Sequence, residues 1–254
     1  MWLVCRYVTP TPATARNVPR YLAPLPTPPV ADPGAWALAA ARGRGAVPVV
    51  DAVGDVEDLR AGLTHLIVAR SRPLARISLG YGTRALLDII DEITWWTGLP
   101  VCGYFFDHAP TSPYQVGPLT RAIRVARRAG LGDFVLNPGM AVDPIYRGLP
   151  ATICTFEGTW AQYRARPAES FAPGDGHLVL DVPHTELPLA RAMTLARGAG
   201  LFLATGATAL FDESAAEFSE PEATAPPRQR AGQGPGYRNR PSRWDRPGVT
   251  ARAR

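Results

Sequence analysis

The sequence predicts a single (β/α)8 barrel of TIM type with a disordered C-terminal tail. About eight short apolar runs recur at intervals of roughly 18 to 33 residues, most of them separated by amphipathic or helical segments. Such alternation builds a parallel sheet, and eight repeats allow the sheet to close. The length of 254 residues suits one such barrel. An open doubly wound sheet is the alternative, but no GxGxxG follows the first strand.

Taken in order, residues 1–20 hold Pro10, Pro12 and Pro19 among Thr and Ala and read as a poorly ordered lead-in. Tyr21–Leu25 is the first strand. Asp32 before Pro33 is an N-cap with Pro at the first helical position, opening a helix to Ala41. Val47–Asp51 is a second strand, and Asp55 caps a helix from Val56 to about Ala61. Leu63–Ala69 fits either a strand or more of that helix.

Arg76–Leu79 leads into Gly80-Tyr81-Gly82. Thr83 is then expected to cap a helix in which Leu87, Ile90 and Ile93 recur at helical spacing. Val101–Phe106 reads as a strand buried on both faces, since β-branched and aromatic residues fill it without polar alternation. Leu119–Ala129 is a helix whose Arg121, Arg124, Arg127 and Arg128 form a solvated face. Strands follow at Phe134–Leu136, Thr152–Phe156, Leu178–Val182 and Leu201–Ala204, with a helix over Glu186–Arg197.

The barrel is expected over 21–213. From residue 214 the chain turns to Pro, Gly and Arg with almost no aliphatic residues, too little to order itself. The tail over 214–254 holds eight Arg against Glu217, Glu220, Glu222 and Asp245, so most of the +5 net charge belongs to it. The basic balance therefore does not argue for a nucleic-acid groove on the folded part; only a weak contact through the Arg-rich tail is left open. All 27 basic residues are Arg. Without Lys there is no Schiff-base aldolase, pyridoxal-phosphate lysine or P-loop lysine.

Cys5, Cys102 and Cys154 lack CxxC spacing and a nearby His pair, and two of them read as small core hydrophobes. No apolar stretch approaches the ~20 residues needed to span a bilayer. The first residues make a poor signal peptide, which predicts a cytoplasmic location, or secretion if the true start lies elsewhere. No cofactor or metal is expected, and the chain is expected to be a monomer.

In barrels of this kind the site lies at the C-terminal strand ends. Those ends read Asp51, Tyr81, Asp107-His108, Asn137, Glu157, Asp181 to His184, and Thr205. A carboxylate leaving a buried strand is costly to desolvate, so it faces a cleft or takes a partner. Asp107 and Glu157 each follow a Phe at the end of an apolar strand. Glycoside hydrolysis requires such a pair, about 5–5.5 Å apart if retaining and ~6.5–9.5 Å if inverting. An apolar setting raises the pKa of one member and helps it hold a proton. Tyr81, Tyr104, Tyr114 and Trp160 are candidate faces for sugar rings. An ion pair between either carboxylate and Arg84 would argue against the pair.

The stretches GYGTR (80–84), DEITWWTGLPVCGYFFDHAP (91–110), VLNPGM (135–140) and TFEGTW (155–160) resemble the spherulin-4, or spherulation-specific, family. The likeness runs from about Tyr21 to Glu213. It implies a (β/α)8 barrel and a glycoside hydrolase acting on galactosamine-containing exopolysaccharide. It also implies that Asp107 and Glu157 match the family's acidic positions, with Tyr81 and Asn137 lining the same cleft. One position departs: where those hydrolases carry a second acid after the Asp, this chain has His108. An imidazole there substitutes in proton transfer, tunes Asp107, or binds a different sugar.

The expected substrate is therefore a carbohydrate, with Asp107 and Glu157 as catalytic pair and Tyr81, His108, Asn137, Trp160, Asp181 and His184 as binding residues. The competing reading is a catalytically weak carbohydrate-binding barrel. A metal-dependent hydrolase built on Asp51, Asp107 and His184 lacks the HxH or ExxH spacing that would support it.

Overall fold

The computed structural model describes residues 18–51 and 54–211. The expected tail over 214–254 and the lead-in as far as residue 17 lie outside the described residues. Among the described residues eight strands are present: β1 (Arg20–Leu25), β2 (Ala46–Val50), β3 (Leu74–Ser78), β4 (Gly103–Asp107), β5 (Asp133–Asn137), β6 (Thr152–Thr159), β7 (Gly176–Leu180) and β8 (Leu201–Ala204). They pair in sequence order, all parallel, and β8 returns to β1, so the sheet closes into a barrel.

Within the described residues six α-helices join them: α1 (Pro33–Ala41), α2 (Val56–Val68), α3 (Leu86–Trp96), α4 (Val116–Arg128), α5 (Trp160–Ala165) and α6 (Leu187–Ala196). Between β5 and β6 the connection holds only a 3-10 segment, Pro144–Gly148, where strict alternation predicts an α-helix.

Local chemistry explains the helix starts. The Asp32 carboxylate accepts the Ala35 N–H at 2.9 Å, with Pro33 in the first turn. Asp55 accepts from the N–H groups of Glu57 and Asp58 at 2.9 and 3.0 Å. The ambiguous stretch after it is helix: Leu59, Leu63 and Leu66 fall on one buried face of α2.

Thr83 does not cap the next helix. Its hydroxyl donates to Gly80 O and closes the Gly80–Gly82 turn, so α3 begins only after Ala85. The buried face of α3 is Ile89, Ile93 and Trp96, which leaves Leu87 72% exposed, against the expected spacing. The four arginines of α4 lie on its exposed side.

Strand alternation divides the core into an inside and an outside. Leu22, Val47, Val49, Leu74, Phe105, Val135, Leu178 and Leu203 pack together within the barrel. Their chain neighbours, such as Val50, Ile77, Tyr104, Phe106 and Leu136, pack outward against the helices. Cys154 is a free, buried thiol of the inner cluster, as a core hydrophobe should be. Cys102 is equally buried but disulfide-bonded, where a plain core residue was a possible reading.

After β8 the chain bends over the C-terminal mouth. Leu210 and Phe211 join the inner cluster there, the Phe211 ring lying 6.0 Å from that of Phe105.

Candidate active site

The inward-facing positions at the C-terminal ends of β3, β4, β5 and β6 are polar. On β3, Leu74 faces the interior, so Arg76 and Ser78 follow it at the two-residue period. On β4 and β5 the inward Phe105 and Val135 are succeeded by Asp107 and Asn137, which pair across the ladder.

β6 reaches the same layer by a detour. Cys154 aligns with Gly176, but Phe156 aligns with His177 and Glu157 with Leu178, so the register slips by one between Cys154 and Phe156. This bulge turns Phe156 outward, onto Tyr163 and Phe171, and turns Glu157 into the barrel. Without it the carboxylate would point at the helices.

These side chains form one network. Arg76 donates from Nε to Asp107 Oδ2 at 2.8 Å and from a terminal nitrogen to Asp51 Oδ2 at 3.0 Å. Its second terminal nitrogen is also 2.8 Å from Asp107 Oδ2, and its guanidinium lies 4.4 Å from the centre of the Phe211 ring. Asp107 Oδ1 accepts from Asn137 Nδ2 and from the His108 N–H, each at 2.9 Å. The same Asn137 nitrogen donates to Glu157 Oε2 at 2.5 Å, so one amide holds the two carboxylates side by side. Asn137 Oδ1 is buried without a partner among the described residues, a cost that functional sites tolerate more than cores do.

The two acids are therefore not equivalent. Asp107 is 3% exposed, with both oxygens engaged. Glu157 lines an open cleft of about 570 Å³ together with Tyr81, His108, Asn137, Gly139 and Met140. Burial pushes the Glu157 pKa up, and the Asp107 charge adds to that; the Asn137 hydrogen bond and the His108 and Arg76 charges oppose it without reversing it. Gly139 permits the close wall: its φ is +68°, and a Cβ there would lie 3.2 Å from Glu157 Cβ.

His108 sits on the rim. Its backbone has φ +49° and Tyr81 has φ +55°, both in the left-handed region that non-glycine residues seldom enter. The two are tied by a 2.7 Å hydrogen bond from the Tyr81 N–H to His108 O, and their rings lie 4.9 Å apart. His108 Nδ1 is 3.0 Å from Ser78 Oγ, and Nε2 is 4.0 Å from Asp107 Oδ2.

Of the residues singled out in the sequence, the fold brings Tyr81, His108, Asn137 and Glu157 to one cleft, with Asp107 directly behind. It does not bring the others. Trp160 is 2% exposed on α5, its Nε1 donating to Glu186 at 2.6 Å, so the indole packs the shell and offers no face to a sugar. Tyr104 is buried against α3, its hydroxyl donating to Ile93 O at 2.8 Å. Asp181 and His184 are exposed past the end of β7, outside the lining of the cleft. Tyr114 is 90% exposed, in the turn that also supplies Ser112 and Gln115 to the cleft.

Arg84, the partner whose pairing would have spoken against Asp107 or Glu157, binds Glu92 at 2.8 Å instead. Arg76 takes that role for Asp107. Its signal was legible: a lone cation inside the apolar strand LARIS must find an anion. Among the described residues no group of His, Cys, Asp and Glu is arranged to hold a metal ion, and Asp51 and Asp107 share a guanidinium.

Residues 64–220 match the family described as Spherulation-specific family 4, which is more than half of the chain. The chain belongs to that family. The match spans β3 to β8 and so covers every member of the network except Asp51. No curated protein matches this member of the family. Among its described residues no helix is long and apolar enough to cross a membrane.

Proposed function

We infer that this barrel is of (β/α)8 TIM type and hydrolyses glycosidic bonds in a galactosamine-containing polysaccharide. The observation that carries the reading is Glu157: a carboxyl group on the wall of an open cleft whose pKa is raised, chiefly by burial. General acid catalysis needs such a group, able to protonate the leaving oxygen as the bond to the anomeric carbon breaks. Asp107 is the second acid of the pair, acting from behind the cleft. Its charge keeps Asn137 oriented on Glu157 and raises the Glu157 pKa further.

Tyr81, 65% exposed at the rim, offers its ring to a sugar face, with His108 behind it. The polymer's identity follows from the family resemblance, and the protein acts on it as a monomer.

A second reading is favoured by one observation. Asp107 does not line the cleft and its oxygens are already bonded, as befits a carbohydrate-binding barrel with weak or no turnover. Hydrolysis of oligosaccharides of galactosamine and N-acetylgalactosamine separates the two. Wild type should cleave them, and Glu157→Gln should lower kcat by about 10²–10⁴, the usual worth of a general acid. Equal rates would remove Glu157 from the chemistry; binding without turnover by wild type would favour the second reading.

A further inference from the structure

The N-terminal end of the barrel, opposite the cleft, holds a second polar layer. Arg20, Leu74, Asp133 and Thr152 are the first residues of β1, β3, β5 and β6. Leu22 and Val135 face the interior, so Arg20 and Asp133, two residues earlier, face it too, and Thr152 precedes the inward Cys154 by the same step. β6 joins β5 only at Val135–Thr152 and Leu136–Ile153, which leaves Asp133 and Phe134 without a ladder partner on that side. Pro150, lacking an N–H, does not extend the ladder. The gap is a cavity of about 230 Å³, with Arg20, Leu74, Asp133, Val135, Pro150 and Thr152 in its wall.

The charges around it do not balance. Asp133 is paired with Arg72 through Nε. Arg147 and Asp175, the other ion pair at this end, close on each other at 2.8 Å, and Thr155 also donates to Asp175. The half-buried Arg20 guanidinium and the Thr152 hydroxyl are left with no hydrogen bond or ion pair among the described residues. Residues 1–19 contain Arg6 and Arg16 but no Asp or Glu, so the chain leading into β1 brings no side-chain carboxylate. Burial pulls the Arg20 pKa below its usual value; the Asp133 charge opposes this without reversing it, and Arg72 adds to the fall. A guanidinium stays charged at neutral pH, so one with neither full hydration nor a counterion calls for an anion.

We propose that this cavity binds a small monocarboxylate, held by a fork of two hydrogen bonds from Arg20 and by the Thr152 hydroxyl donating to one of its oxygens. Paired donors of that kind match a carboxylate's two oxygens. Charge sets the class: Arg20 and Arg72 against Asp133 leave one positive unit, which one carboxylate neutralises, whereas the second charge of phosphate would be repelled by Asp133. Leu74, Val135 and Pro150 give a short carbon chain an apolar wall. Arg20 also pairs with Leu201 at the seam where β1 meets β8, so a ligand bridging Arg20 to Thr152 ties the seam to β6 and stabilises the closed barrel. The site is independent of the hydrolase reading, since Glu157 lies at the other end of the barrel.

Thermal unfolding of the full chain at pH 7.5 tests it, with sodium butyrate, acetate or phosphate replacing chloride at constant ionic strength, and with saturation-transfer NMR on butyrate as a second readout. Butyrate should bind with Kd on the order of 1 mM, and at a hundred times Kd should raise Tm by about 5–10 °C. Acetate, two methylenes shorter, should bind roughly tenfold more weakly. Arg20→Gln should abolish the shift and the NMR signal. Arg20→Lys should weaken binding about tenfold, because an ammonium offers no fork. Thr152→Val should weaken it by roughly threefold to tenfold for one lost hydrogen bond. These last two keep the test decisive if Arg20→Gln does not fold. Glu157→Gln should bind butyrate as wild type does.

Butyrate binding that survives Arg20→Gln, or that is lost in Glu157→Gln, places the ligand elsewhere and overturns the assignment. A larger shift with phosphate than with butyrate overturns the carboxylate class. No shift and no NMR signal with any of the three anions means that the cavity takes no free anion, and that too sinks the proposal while leaving the hydrolase reading untouched.

Discussion

Arg76 is 2.8 Å from the buried Asp107 and 3.0 Å from Asp51, so its charge is what makes an acidic barrel mouth affordable. Burial alone would lower the arginine pKa, but the two carboxylates outweigh it and leave it raised. Arg76→Met should cost about 3–5 kcal/mol, because the substitution leaves Asp107 in a low-dielectric site without its cation. Urea unfolding at neutral pH checks this, and a midpoint equal to wild type would refute it. At this scale the sequence named the polar strand ends correctly but not their depth. Asp107 and Glu157 look alike in sequence, each an acid after a Phe, yet one is locked behind Asn137 and the other lines the cleft. What separates them is which neighbours supply donors, and those lie 20 to 31 residues away.

At the scale of elements, pattern reading found all eight strands and extended α2 only as an alternative. It missed the bulge on β6, because a one-residue slip leaves no mark on an apolar run that is buried on both faces. Its placing of Trp160 in the cleft failed for the same local reason: past the bulge the chain turns into α5, capped reciprocally by Thr159 and Gln162, and the indole faces the shell. Glycines test the close approaches. A Cβ on Gly103 would sit 1.7 Å from Asp133 O, where β4 meets β5, and neither backbone has room to give. Gly103→Ala should therefore destabilise by roughly 3 kcal/mol, the upper end of ordinary overpacking. Gly117→Ala, with nothing within 4 Å on the exposed first turn of α4, should instead gain about 0.5 kcal/mol through helix propensity. The two midpoints in urea should move in opposite directions; a shared direction would undo the argument.

For the whole molecule, closing a barrel leaves the question of what fills its mouth. The inner cluster supplies aliphatic side chains through most of its height, then the layer changes abruptly to Arg76, Asp107, Asn137 and Glu157. Phe211 spans that change. Its ring joins the apolar layer beside Phe105 and lies under the Arg76 guanidinium at 4.4 Å, so a residue past the last strand ties the core to the site. Phe211→Ala should cost about 3–5 kcal/mol through the cavity it leaves. It should also lower kcat, since water admitted beside Arg76 weakens the charge pairing that orients Asn137 on Glu157. Phe211→Leu keeps most of the volume and loses the ring face, so it should recover stability before it recovers rate. Stability and kcat falling and returning together across the two variants would mean that Phe211 only packs, and that the electrostatic link from core to cleft runs by another route.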